Sequence, residues 1–173
     1  MDLYGNSGTE NRETLEVDWQ LFGELCRVLA LRIAADYDPE IVVGIAKAGV
    51  IPGAVVAAML DRDFAAMAVT RQGRGARPTL ITEPPPSIGG RRVLVVDETS
   101  NSGQTLKLAL SVMRKYAPSE VCSAVSIRTG PYSPDFVAME TGSAIVLPWE
   151  RDVVLNGELV TRASYLARLG QGP

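Results

Sequence analysis

Histidine is absent from the 173 residues. That removes Ser-His-Asp and Cys-His nucleophile pairs and every histidine-ligated metal site. Cysteine is scarce: Cys26 and Cys122 both stand among apolar neighbours. They read as buried small hydrophobes rather than as a disulfide or a reactive thiol. Long hydrophobic runs are missing too. Gly, Pro or charge interrupts each within about 12 residues, too short to span a bilayer. No Gly-x4-Gly-Lys-[Ser/Thr] loop and no Gly-x-Gly-x-x-Gly turn occurs, which disfavours nucleotide hydrolysis and Rossmann-type cofactor binding. The stretch from Met1 to Glu16 is polar, without a basic-then-apolar leader pattern, so a cytoplasmic location is expected. A net charge of −3 gives no footprint for non-specific nucleic-acid binding. The chemistry left must run on carboxylates, Lys/Arg, hydroxyls, backbone dipoles and an oxygen-liganded metal.

What is present suits one globular domain with a real core: 46% of the residues are hydrophobic and 21% charged. Residues 1–16 read as a flexible N-terminal arm, and 17–173 as a single domain. Asp18 caps an expected helix reaching Tyr37, with Leu21, Leu25, Leu29 and Ile33 recurring every four residues. Asp38-Pro39 ends it. Ile41–Ile45 is a short buried strand, Ala46–Gly49 a turn, Val50–Leu60 a helix and Phe64–Thr70 a strand. Residues 71–90 carry Arg71, Arg74 and Arg77 among glycines, then Pro84-Pro85-Pro86, with a short strand at Thr79–Thr82. So long a connection favours a mobile functional loop. Val93–Val96 is a strand, and Leu106, Ala109, Leu110 and Met113 mark the next helix. Val121–Ile127, Ala144–Leu147 and Asp152–Leu155 read as strands, Asn156-Gly157 as a turn, and Leu159–Leu169 as a weak helix. The alternation predicts an α/β fold with a mainly parallel twisted sheet flanked by helices. Ligands in such sheets bind at the carboxyl ends of strands.

The chain is organised around Val93–Leu106: apolar strand, two acids, then a hydroxyl-rich loop leading into a helix. Backbone N–H groups at a helix start form an anion site. Thr99, Ser100, Ser102 and Thr105 add hydroxyls, Asn101 and Gln104 add amides, and Gly103 permits close approach. Asp97 and Glu98 suit a diol, directly or through Mg2+, which prefers oxygen ligands. Read alone, they are equally a polar strand end capping a helix. An EF-hand fails, because a strand precedes Asp97 and the twelfth position is Leu108.

This stretch resembles the phosphoribosyl-pyrophosphate (PRPP) signature of the type I phosphoribosyltransferases. Lys47-Ala48-Gly49, followed by Val50-Ile51-Pro52, is similar to the family's turn that grips pyrophosphate, with Ala48 a mild departure. A non-proline cis bond is not expected there, since it costs about 3–4 kcal/mol. The arginine loop resembles the family's flexible catalytic loop; Arg71 and Arg74 lead, though the sequence does not say which arginine acts. Pro131-Tyr132-Ser133-Pro134-Asp135-Phe136 and Ala144–Glu150 resemble the hood, at about 129–155, of the xanthine/guanine/hypoxanthine members. Read alone, Trp149 is simply a core aromatic.

The resemblance, over roughly 17–155, implies a magnesium-dependent enzyme. It would transfer 5-phosphoribosyl from PRPP to a heterocyclic acceptor and release pyrophosphate. Lys47, Arg71, Arg74, Asp97, Glu98 and Asn101 would be catalytic, and Asp97 and Glu98 the metal ligands. Lys47–Gly49 and Asp97–Thr105 would bind PRPP. Arg128, Ala144, Ile145, Leu147 and Trp149 would face the acceptor. A homodimer or higher homo-oligomer is implied, with no nucleic-acid or membrane partner.

Three departures mark the acceptor side. The oxopurine members carry aspartate where this chain has Asn101, which cannot act as a base. Ala144 stands where a stacking Trp is usual, and Arg128 where a lysine contacts the purine oxygen. An arginine fork suits carboxylate, so an acidic, non-purine acceptor is expected. The alternative expectation is a non-catalytic protein of the same fold that senses PRPP or a nucleotide.

Overall fold

The structure, a computed structural model, describes residues 13–71 and 76–168. In chain order the elements are β1 (Thr14–Glu16), α1 (Trp19–Asp36), β2 (Ile41–Ala46), α2 (Val50–Leu60), β3 (Asp63–Thr70), β4 (Thr79–Thr82), β5 (Arg92–Ser100), α3 (Gln104–Arg114), β6 (Glu120–Arg128), β7 (Phe136–Glu140), β8 (Ala144–Val146), β9 (Asp152–Leu155), β10 (Glu158–Thr161) and α4 (Ala163–Arg168). Short 3-10 turns occupy Pro86–Ile88 and Pro148–Glu150.

The larger unit, Trp19–Thr141, is built on a six-stranded sheet in the order β4-β3-β2-β5-β6-β7. Only β4 is antiparallel, to β3; β2, β3, β5, β6 and β7 are parallel neighbours. The mainly parallel α/β architecture expected from the sequence is therefore what forms. Ile41–Ile45 and Val93–Asp97 are buried without alternation, which means both sheet faces are covered. Ile41, Val43, Ile45, Val93 and Val95 pack with Leu106, Ala109, Leu110, Val112 and Met113 of α3 in one cluster. Leu25, Cys26, Leu29 and Ile33 form the buried stripe of α1.

The topology fixes where a ligand can sit. β2 runs through α2 to β3 on one side, while β5 runs through α3 to β6 on the other. Successive strands are therefore added in opposite directions from the adjacent parallel strands β2 and β5, and the crevice at their carboxyl ends is the switch point. Their amino ends are tied instead by ion pairs of Arg92 with Asp38 at 3.0 Å and with Glu40 at 3.4 Å.

The second unit comprises the described parts of Met1–Asp18 and Gly142–Pro173. This differs from the expected single domain with a hood at about 129–155, because β7 completes the large sheet and the chain divides after Thr141. Thr14–Glu16, expected to belong to the arm, instead pairs in parallel with Ala144–Val146. Residues 1–12 lie outside the described residues. Within this unit the Tyr165 hydroxyl donates to Glu16 Oε1 at 2.7 Å. Asn156 and Gly157 adopt φ of 52° and 85°, and β9 and β10 pair across them as a hairpin. That turn converts the start of the expected Leu159–Leu169 helix into β10 and leaves only α4 helical. Among the described residues, no helix is long and apolar enough to cross a membrane.

Candidate active site

β5 extends further than its apolar residues alone indicate. Asp97, Thr99 and Ser100 continue the ladder, opposite Val125, Ile127 and Arg128 of β6. The polar turn thus begins at Asn101, not at Asp97. Asp97 is buried, and its Oδ1 accepts the Glu98 N–H at 3.0 Å. Burial first, and then the Glu98 charge, push the Asp97 carboxyl well above the ordinary carboxylate range, while Arg71 pulls it down. A buried carboxylate beside a second carboxylate is a site that a cation would relieve.

The turn after β2 comes up against this carboxylate. A Cβ built on Gly49 would lie 2.7 Å from the Ile45 carbonyl oxygen and 2.8 Å from both Asp97 Oδ1 and the Val96 carbonyl oxygen. Gly49 has φ −64° and ψ −15°, so close approach rather than unusual backbone demands glycine. Lys47 is exposed, and the Ala46–Lys47 peptide bond is cis, contrary to the expectation of trans.

Beyond Asn101, Gly103 takes φ 72° and opens α3. No side chain caps this helix, and its first turn holds no acid. Its N–H groups and positive dipole end are left for a ligand. Arg71 Nη2 donates to Thr105 Oγ1 at 2.8 Å, which brings the start of the arginine loop onto the helix. A cavity of about 270 Å³ results, lined by Arg71, Asp97, Glu98, Thr99, Asn101, Ser102 and Thr105. Carboxylates form one part of its wall; a guanidinium, hydroxyls and an uncapped helix start form another.

Other expected site residues fall elsewhere. Ser100 is buried, and its hydroxyl finds no hydrogen-bond partner in the protein. Gln104 is exposed at the start of α3, and Arg77 is exposed without lining the cavity. Arg74 lies outside the described residues. Arg128 ends β6, where its Nη2 meets Glu140 Oε2 of β7 at 2.6 Å. The sequence reading did not include this partner: the chain itself supplies a carboxylate to the Arg128 guanidinium. Ala144 and Ile145 lie on β8 in the second unit, Leu147 follows it, and Trp149 sits in the 3-10 turn, where the Leu147 N–H donates to Glu150 Oε2 at 3.0 Å.

Sequence reasoning placed 131–136 in the hood and missed the contacts that 129–135 makes with β5, β6 and the loop after β5. The N–H of Thr129 donates to the Ser100 carbonyl at 2.8 Å, and that of Tyr132 to the Asn101 carbonyl at 3.2 Å. A Cβ on Gly130 would fall 2.4 Å from Asn101 Oδ1. Asp135 Oδ2 accepts from the Ser123 N–H at 2.7 Å and from the Ser123 hydroxyl at 2.8 Å. The Pro/Gly punctuation and the hood-like motif signal turns but not what they touch.

This geometry agrees with what known proteins resemble. The phosphoribosyl transferase domain profile matches residues 17–141, nearly the span of the larger unit. No match is found among curated proteins. A purine phosphoribosyltransferase from Pyrococcus horikoshii Ot3 superposes with a TM-score of 0.72 at 25% identity, covering 84% of this chain and 99% of its own. A hypothetical protein from Neisseria gonorrhoeae with bound ppGpp gives a TM-score of 0.65 at 19% identity, covering 84% and 92%. The Helicobacter pylori xanthine-guanine-hypoxanthine phosphoribosyltransferase gives 0.63 at 17% identity, covering 80% and 94%. A parallel sheet with its crevice at the β2–β5 switch point, paired acids before an uncapped helix start, and a family match over most of the chain lead to one conclusion: the chain belongs to the phosphoribosyl transferase domain family and is a phosphoribosyltransferase of the type I fold.

Proposed function

We propose that the protein transfers the 5-phosphoribosyl group of PRPP to a ring nitrogen of a nucleobase or related heterocycle and releases pyrophosphate. The observation that carries this is the cavity itself, with Asp97 and Glu98 in the same wall as the start of α3, Thr105 and Arg71. A ligand fitting it must offer hydroxyls or a metal to the acids and an anion to the helix start. The bond from the anomeric carbon to pyrophosphate breaks, a carbon–nitrogen bond forms, and the acceptor's proton leaves. Asp97 and Glu98 would orient the ribose hydroxyls, Thr99–Thr105 the 5′-phosphate, and Lys47 with Arg71 the departing pyrophosphate.

Mg2+ fits this donor set. Among the described residues no cluster of three or more metal-binding side chains occurs, which argues against a metal held by protein alone. Mg2+ is ordinarily held by one or two carboxylates together with substrate oxygens. Asp97 and Glu98 would hold it, and when bound it would neutralise charge on pyrophosphate.

For the acceptor, the Arg128–Glu140 pair weakens the case for an acidic compound, and a neutral heterocycle is favoured. Asn101 still lacks the proton-accepting group expected for oxopurines. This favours a second reading, in which the protein senses PRPP or a nucleotide without catalysis. Pyrophosphate release separates the two. Incubation with PRPP, Mg2+ and a panel of purines, pyrimidines and carboxylated heterocycles should release pyrophosphate with at least one of them. PRPP binding without release in any case would favour the sensor. The same reading includes a cytoplasmic homo-oligomer with no membrane or nucleic-acid partner, the oligomer being checked by sedimentation.

A further inference from the structure

Tyr132 is not among the groups assigned to donor or acceptor, yet it meets the loop between β5 and α3 in several ways. A Cβ built on Gly103 would fall 2.1 Å from Tyr132 Cγ and 2.4 Å from both Cδ atoms. The ring face therefore occupies the space that a side chain at position 103 would take. The Tyr132 N–H donates to the Asn101 carbonyl at 3.2 Å. Lys107 Nζ, one turn into α3, lies 5.1 Å from the centre of the same ring. The segment bearing Tyr132 is itself anchored on both sides, by Thr129 on Ser100 and by Asp135 on Ser123.

The loop needs such support. Gly103 has left-handed backbone at φ 72°, carries no side chain, and opens a helix without a capping side chain. A glycine turn loses much conformational entropy when it is ordered. Contact with an aromatic face compensates part of that loss, and a cation over the ring limits where Lys107 can go.

We propose that Tyr132 is a positioning residue for the donor: its ring holds Asn101–Gly103 and Lys107 in the arrangement that receives phosphate. This rests on the assignment of the α3 start as the 5′-phosphate site. The aromatic face carries the effect and the hydroxyl does not.

The test compares wild type with Tyr132→Phe, Tyr132→Leu and Tyr132→Ala. Calorimetry with PRPP and Mg2+ gives Kd, and amide exchange in ligand-free protein reports on residues 101–105. Tyr132→Ala should raise Kd about tenfold and speed exchange in that loop, as expected when an ordering contact is lost. Tyr132→Phe should match wild type within about twofold in Kd, a difference below 0.5 kcal/mol. Tyr132→Leu should fall between them, and it stands in for the alanine variant if that does not fold. Unchanged Kd in both the Leu and Ala variants, or Tyr132→Phe as impaired as Tyr132→Ala, overturns the proposal. If wild type does not bind PRPP, the donor-site assignment fails and takes this role with it; the exchange data would still tell whether the ring orders the loop.

Discussion

Gly49 lies against the Asp97 carboxylate, so close that a Cβ on it would stand 2.8 Å from Oδ1. The ends of two strands far apart in the chain thus share one wall, because β2 and β5 are hydrogen-bonded neighbours in the sheet. Gly49→Ala should therefore be costly beyond its single methyl. The added carbon meets the backbone oxygens of Ile45 and Val96, which belong to the sheet and cannot easily retreat. A loss of about 1–3 kcal/mol is expected, seen as a thermal midpoint lower by several degrees, with PRPP binding weakened at least about tenfold. Wild-type stability and binding would mean that the close approach constrains nothing.

The arginines of the 71–90 segment should not be equivalent. Arg71 Nη2 reaches Thr105 Oγ1 at 2.8 Å and lines the cavity, whereas Arg77 is exposed and does not. Arg71→Ala should lower kcat/KM by about 10–100-fold. Arg71→Lys should recover only part of that, because it restores charge without the planar fork. Arg77→Ala should stay within about threefold of wild type, close to the effect of an ordinary surface change. Equal losses at both positions would contradict the placement of Arg71.

Asn101 lines the cavity beside the acids, with Gly130 packed against its amide. Asn101→Asp keeps the shape and adds a proton acceptor. Pyrophosphate release with guanine, hypoxanthine or xanthine should rise by at least about tenfold, a part of the roughly 100–10,000-fold that a well-placed general base can contribute. No change with any oxopurine would show that the acceptor side differs by more than this one residue.

The cysteines should be unreactive near neutral pH. Burial pushes the Cys26 thiol up to about 11, partly offset by Ser126, and burial with the charges of Asp135 and Glu120 does the same for Cys122, also to about 11. Only about a thousandth of each would be thiolate at pH 8. Labelling by a disulfide reagent in native protein should therefore be slow at pH 8 and accelerate about tenfold per pH unit up to pH 10. A rate that levels off near pH 8.5 would mark an ordinary exposed thiol instead.

Much of the fold was legible because its strands and helices carry local signals. Ile41–Ala46 is a short apolar run, Val50–Leu60 a stretch of small and apolar residues, and α3 carries a helical stripe, signals that tertiary structure did not need to override. The end of β5 was not legible. Thr99 and Ser100 look like loop residues and become strand only because Ile127 and Arg128 lie opposite them. β7 was missed for the same reason: Phe136–Glu140 sits between Pro134 and Gly142 and gains strand structure from pairing with β6. With β7 unseen, the Glu140 partner of Arg128 could not be anticipated. Most of the groups that line the cavity were readable because they are nearly contiguous in Asp97–Thr105. Tyr132 was not, because its role comes from a contact between two separate loops.

The central claim is that Asp97 and Glu98, together with the start of α3, form a PRPP site. Asp97→Asn tests it most directly, since it preserves volume and removes the charge. Calorimetric titration with PRPP in Mg2+ should show binding to wild type and a loss of at least about a hundredfold in the variant, as expected when a charged partner in the site is neutralised. The variant's thermal midpoint should not fall. Binding of PRPP to Asp97→Asn as tight as to wild type, or no binding to wild type with Mg2+ present, would contradict the account.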